Sequence, residues 1–169
     1  MPIWPIIQHA LLWGLILSAV LFAGVLALLR FNPEIMLQDY PSDIRAKHGP
    51  MSERTRRQRL PAGILFLIVL LALVAGSFLR LPDITGGDIG FLPAFVHLAT
   101  MFSLFNVLDW LVMDWLIMVR FQPRFVVLPG TEGLAGYRSY WFHFRGFLIG
   151  LPISLAAALL LAPLAAAVF

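Results

Sequence analysis

The sequence predicts an all-α protein, a four-helix transmembrane bundle with short surface helices in its first loop. Three observations predict it. Of 169 residues 60% are hydrophobic and only 12% are charged, about half the charged share of a soluble domain. Four apolar stretches, residues 6–29, 62–79, 91–119 and 144–168, each reach the roughly 18 residues needed to cross a bilayer core. The basic residues are sorted by side: eleven of the 12 lie in the first and third connections, Arg80 alone lies in the second, and both tails have none. The positive-inside rule then puts both basic loops in the cytoplasm and both termini outside. Residues 1–169 are read as one integral-membrane domain.

The first span is expected to stay in the mature protein. No Lys or Arg precedes it, and its apolar core is longer than the ~7–15 residues of a signal peptide. The first loop, residues 31–61, carries two helix starts: Asn32-Pro33-Glu34, a cap followed by proline, and Ser52. Two or three short helices are therefore expected there, punctuated by Pro41, Gly49 and Pro50. The cluster RTRRQR at residues 54–59 reads as a topology anchor in preference to an anionic-lipid site. RLPDITGGDIG, residues 80–90, has two acids, too few oxygen ligands for a cation loop, and reads as a polar turn. The fourth span opens with Gly146 and Gly150 four apart, a spacing that allows close helix approach either inside the bundle or at a dimer contact.

The chain has no cysteine, which excludes disulfides, thiolate metal sites and cysteine nucleophiles. A net charge of +3 sorted by membrane side is no nucleic-acid groove. The expected partners are membrane lipids and a second copy of the chain, with no nucleic acid and no cofactor.

Two acids interrupt the third span. Asp109 falls about 15 Å of helix from residue 119 and Asp114 about 8 Å. Such residues are costly in a bilayer and face a bundle interior, a partner or a watery cavity. Five residues at ~100° each put the two carboxylates about 140° apart on an α-helix. Asp114 is therefore expected to converge with His143 and Arg145 at the start of the fourth span, beneath a roof formed by residues 129–137. Asp109 is expected outside that cluster, contacting Asn106 or a neighbouring helix. His9 and His97 lie near the outer ends of the first and third spans and are weak metal candidates, since no third ligand accompanies them.

The segment FQPRFVVLPGTEGLAGYRSYWFHFRGF, residues 121–147, holds Glu132, Tyr137 and an aromatic belt, and its apolar FVVL suggests a loop folded back on the bundle. Together with the preceding DWL and the YPSDI of the first loop, it resembles a family of small bacterial four-span integral membrane proteins, one with no established activity. The resemblance implies that Asp114, Glu132, Tyr137, His143 and Gly146 belong to a family site. Asp109, Asp114, Glu132, Tyr137, His143 and Arg145 are the candidate ligand-binding set.

Three functions compete. The first is binding or transport of a small or lipid-soluble ligand at a cytoplasm-facing polar site, for which four spans would need to oligomerise. The second is a membrane enzyme, with His143 as acid or base and Asp114 orienting it; no nucleophile signature or phosphate-cradling loop accompanies that pair, so the balance leans away from catalysis. The third is an accessory or assembly protein with structural acids.

Overall fold

The computed structural model describes residues 3–169, and all regular structure in them is helical. Helix α1 (Ile3–Phe31) runs into a 3₁₀ segment (Pro33–Asp39), then α2 (Ser42–His48), α3 (Glu53–Phe78), the short α4 (Leu81–Thr85), α5 (Phe91–Leu108) and α6 (Tyr140–Val168). Residues Asp109–Phe121 extend α5 as a π-helix. Four helical rods of 29, 33, 31 and 29 residues are long and apolar enough to cross a membrane. This is an integral-membrane architecture.

Local chemistry explains the breaks. Asn32 caps the 3₁₀ segment by accepting from the Glu34 N–H at 3.1 Å, and Pro33 follows at the first helical position, where a missing N–H costs nothing. Ser52 caps α3 by accepting from the Thr55 N–H at 3.3 Å. Glu34 ties these two starts together, accepting from the Ser52 N–H at 2.5 Å, the Ser52 hydroxyl at 2.7 Å and the Thr55 hydroxyl at 2.5 Å. Partial desolvation works against its charge, yet the bonds from Thr55 and Ser52 outweigh it, with His48 helping, and hold the carboxyl below its ordinary range. The second rod starts earlier than hydropathy alone predicts. Its α3 part alone, 26 residues, is about 39 Å long against a ~30 Å hydrocarbon core, and the RTRRQR cluster rides on its first two turns.

Helix α5 lies between α1 and α6, while α3 touches chiefly α1. The core between them is built from Ile6, Leu17, Leu21, Phe78, Leu98 and Met101, all buried. Gly14 lets α1 approach α5, since a Cβ there would meet Leu104 at 2.9 Å. Of the two glycines that open the fourth span, only Gly150 serves close approach: a Cβ would collide with the Asn106 amide, whereas nothing lies near Gly146. Elsewhere α3 and α6 turn leucine and isoleucine outward, Leu160 being 71% exposed, as lipid-facing helices do.

The two basic loops meet at one end. Leu37, Tyr40 and Ile44 of the first pack with Leu128 and Tyr137 of the other. The Tyr40 hydroxyl donates to the Val126 carbonyl at 2.7 Å, and the Gly136 N–H donates to the Asp43 carboxylate at 2.8 Å. At the opposite end Phe78 stacks on Phe169 with ring centroids 5.3 Å apart. The first is the basic end and the second, where α1 begins and α6 finishes, the terminal end.

Candidate functional site

At the basic end a cavity of about 440 Å³ opens between the third and fourth rods under the 3₁₀ segment. Its wall takes Asn106, Asp109, Trp110 and Asp114 from the third rod, residues from Phe142 to Ile149 including His143 and Arg145 from α6, and Gln38 with Asp39 from the first loop. A second recess of about 300 Å³ shares Asp39, Asp109, Asp114 and His143 and runs inward to Val25, Phe66 and Phe105. The acids thus stand between two spaces.

Asp114 and His143 meet as the sequence predicts. The imidazole Nδ1 donates to the carboxylate Oδ1 at 2.8 Å, and the side chains are 8% and 27% exposed. This contact orients the ring. Phe142 packs edge-on against it at 5.3 Å, and Trp110 stacks on Phe147 at 4.7 Å to form the aromatic floor.

The expectation for Asp109 is corrected. It lines the same cavity as Asp114, because the third rod is not an α-helix there. From Asp109 to Phe121 the backbone is π-helical and closes with the Gln122 N–H on the Ile117 carbonyl, five residues back, at 2.9 Å. An i→i+5 bond brings residue i+5 back over residue i, about one turn on. Two acids five apart therefore share a face that an α-helix would split. Asn106 is not the partner of Asp109 either: its amide donates to the Phe147 carbonyl at 3.1 Å and ties the third rod to α6. Among the described residues the Asp109 carboxylate has no hydrogen-bond or ion-pair partner.

The roof is also corrected. Gln38 and Asp39 cover the cavity, and residues 129–137 do not reach it. Tyr137 accepts the Leu128 N–H at 2.9 Å and bonds Thr131 at 2.7 Å, while Thr131 donates to the Leu128 carbonyl at 2.7 Å. Both hydroxyls and both Leu128 backbone groups are spent inside the loop. Glu132 is exposed and accepts from the Gly130 N–H at 3.1 Å. Glu132 and Tyr137 therefore build the loop that props up the first loop, one tier away from the cavity. Arg145 is exposed and lines the cavity mouth. Among the described residues it makes no ion pair with Asp114 or Asp109. Gly146 lines the cavity as bare backbone.

Asp39 is the residue that sequence reasoning missed. Desolvation against the cavity wall raises its carboxyl above the ordinary range, Arg59 pulls it back, Asp114 adds to the rise and Arg45 opposes it. The one available signal was its place beside the YPSDI motif: Tyr40, pinned to Val126, fixes where Asp39 points.

His9 and His97 do meet, with centroids 5.4 Å apart. Ser77 occupies both: its carbonyl accepts from His9 Nε2 at 2.9 Å, and its hydroxyl bonds His97 Nε2 at 2.8 Å. Among the described residues no group of three or more His, Asp or Glu is placed to hold a metal ion.

Comparison with protein-family models, with curated proteins and with solved structures finds no match to this chain.

Proposed function

We propose that this is a multi-pass protein of the bacterial inner membrane that binds or transports a small or lipid-soluble ligand in the acidic cavity, with both basic loops in the cytoplasm and both termini outside. The observation that carries the reading is Asp109: an intramembrane acid on a cavity wall that neither packing nor hydrogen bonding consumes. Three carboxylates over an aromatic floor favour a ligand that brings positive charge, since ring faces and carboxylates both attract cations. A π-helical segment at this point agrees with the reading, as such segments are frequent at functional sites. The eleven-to-one sorting of basic residues supports the orientation. The DWL, PGTEG, GY and FHF segments support placing the chain with the small bacterial four-span proteins it resembles.

The test is a thermal-shift titration of purified protein in detergent with primary and quaternary alkylammonium ions. Stabilisation that is lost in Asp109→Asn is expected. Equal stabilisation in the wild type, Asp109→Asn and Asp114→Asn, or none at all, would sink the cation reading. One observation favours a second reading, a membrane enzyme: the Asp114–His143 contact orients an imidazole as a general acid or base would be oriented. Incubating the protein with phospholipid vesicles and finding every lipid unaltered by mass spectrometry would remove that reading.

A further inference from the structure

Helix α3 stands away from the bundle over its basic half. Of its residues only Thr55, near the start, and Ser77 and Phe78, near the far end, are buried. The gap this leaves against α1 is a slot of about 390 Å³ walled by apolar residues alone, among them Gly24, Ala27 and Leu28 of α1 and Ala62, Leu65 and Phe66 of α3. A Cβ added at Gly24 would meet nothing, so the slot is unfilled beside α1.

The slot leads to arginine. A recess of about 210 Å³ shares Leu28, Ala62 and Phe66 with it and ends at Arg59. A further recess of about 430 Å³, on the other flank of Gly63, is lined by Arg56, Arg59 and the apolar Leu60, Ile64 and Leu67. Arg59 is exposed and, among the described residues, makes no ion pair; Asp39 lines the inner wall of the same recess without closing on it.

We propose that the α1–α3 slot seats one anionic phospholipid, its acyl chain along Gly24, Ala27, Ala62 and Phe66 and its phosphodiester on Arg59, with Arg56 beside it. The dimensions fit a lipid. From Val20 to Phe31 the α1 wall rises about 16 Å, about one leaflet of a ~30 Å core, and the guanidinium groups stand at its headgroup end. Charge decides against a second copy of the chain. Copies inserted with the same orientation would bring two RTRRQR clusters together at one depth, where like charges repel. This site is separate from the acidic cavity and does not rest on the ligand proposed for it.

The experiment is native mass spectrometry of delipidated protein titrated with dioleoyl phosphatidylglycerol or dioleoyl phosphatidylcholine. One retained phosphatidylglycerol is expected, with weaker retention of phosphatidylcholine. Arg59→Gln should weaken phosphatidylglycerol about fivefold, the worth of one basic residue at an anionic lipid surface. Gly24→Leu, which fills the slot and leaves every charge in place, should weaken both lipids. Arg124→Gln, on the other basic loop, should change nothing. Both Arg59 and Gly24 are exposed, so neither change opens a hole, and circular dichroism melts confirm the folded state. Equal retention of the two lipids, or equal losses for Arg59→Gln and Arg124→Gln, would reduce the cluster to a general basic surface. A dimer mass lost in Gly24→Leu would give the slot to a second copy. Either result overturns the proposal.

Discussion

The shared face of Asp109 and Asp114 depends on the π-helical backbone, and that backbone can be tested without any ligand. On an α-helix, residues five apart are separated by about 7.5 Å along the axis and about 140° around a cylinder of radius ~2.3 Å, giving Cα atoms about 8.6 Å apart. A disulfide needs at most about 7 Å, so an α-helical pair cannot close. With an i→i+5 ladder the pair takes the place that i and i+4 hold on an α-helix, about 6.2 Å apart by the same geometry, and closure is allowed. The chain has no cysteine of its own, so paired substitutions report cleanly. Asp109→Cys/Asp114→Cys and Trp110→Cys/Trp115→Cys should oxidise, losing two hydrogens in intact mass and becoming resistant to alkylation. Phe102→Cys/Val107→Cys, also five apart but within α5, should stay alkylatable under the same oxidant. If the 109/114 and 110/115 pairs remain as free as the 102/107 pair, the third rod is α-helical throughout. Asp109 then faces away from Asp114, and the cavity loses the acid on which the proposed function rests.

The two aspartates should also respond oppositely to neutralisation. Asp114→Asn removes one side of a partly buried, charge-assisted bond to His143 and should cost about 1–2 kcal/mol, a fall of about 3–6 °C in melting temperature in detergent. Asp109→Asn loses no bond and relieves carboxylate repulsion on the order of 1 kcal/mol, so its melting temperature should hold or rise; an equal fall in both variants would count against the assignment. Tyr40→Phe leaves the Val126 carbonyl without its buried donor and should cost about 1–3 kcal/mol, with faster hydrogen exchange across both basic loops and none of that acceleration at the terminal end. Glu34 adds a pH dependence of known sign. Its folded-state carboxyl titrates below the ordinary 4.5, so its contribution is fully present above that value and is lost as pH falls through the lowered one. Exchange of the Ser52 and Thr55 amides should therefore gain an extra acid-side acceleration in the wild type that Glu34→Gln lacks, and identical pH profiles would remove Glu34 as the tie.

The architecture was determined by the sequence alone, because each span is a local property. Twenty or so apolar residues must close their own backbone hydrogen bonds in lipid, and only a helix does that within one segment. Caps are equally local: Asn32-Pro33 and Ser52 start helices where they stand in the chain. The Asp114–His143 contact was legible for a similar reason, since a single connection between residues 119 and 144 brings those two helix ends together. What tertiary structure decided is everything that depends on register or on long-range docking. Nothing between Asp109 and Phe121 marks a change from i→i+4 to i→i+5 bonding, yet that change turns Asp109 through most of the angle that had separated it from Asp114. The roof was misplaced because Tyr137 and Thr131 satisfy each other inside their own loop, while Tyr40, 86 residues from Val126, swings Asp39 over the cavity. Such pairings arise from which surfaces meet when the loops fold onto each other, and the spacing of residues along one chain segment carries no record of it.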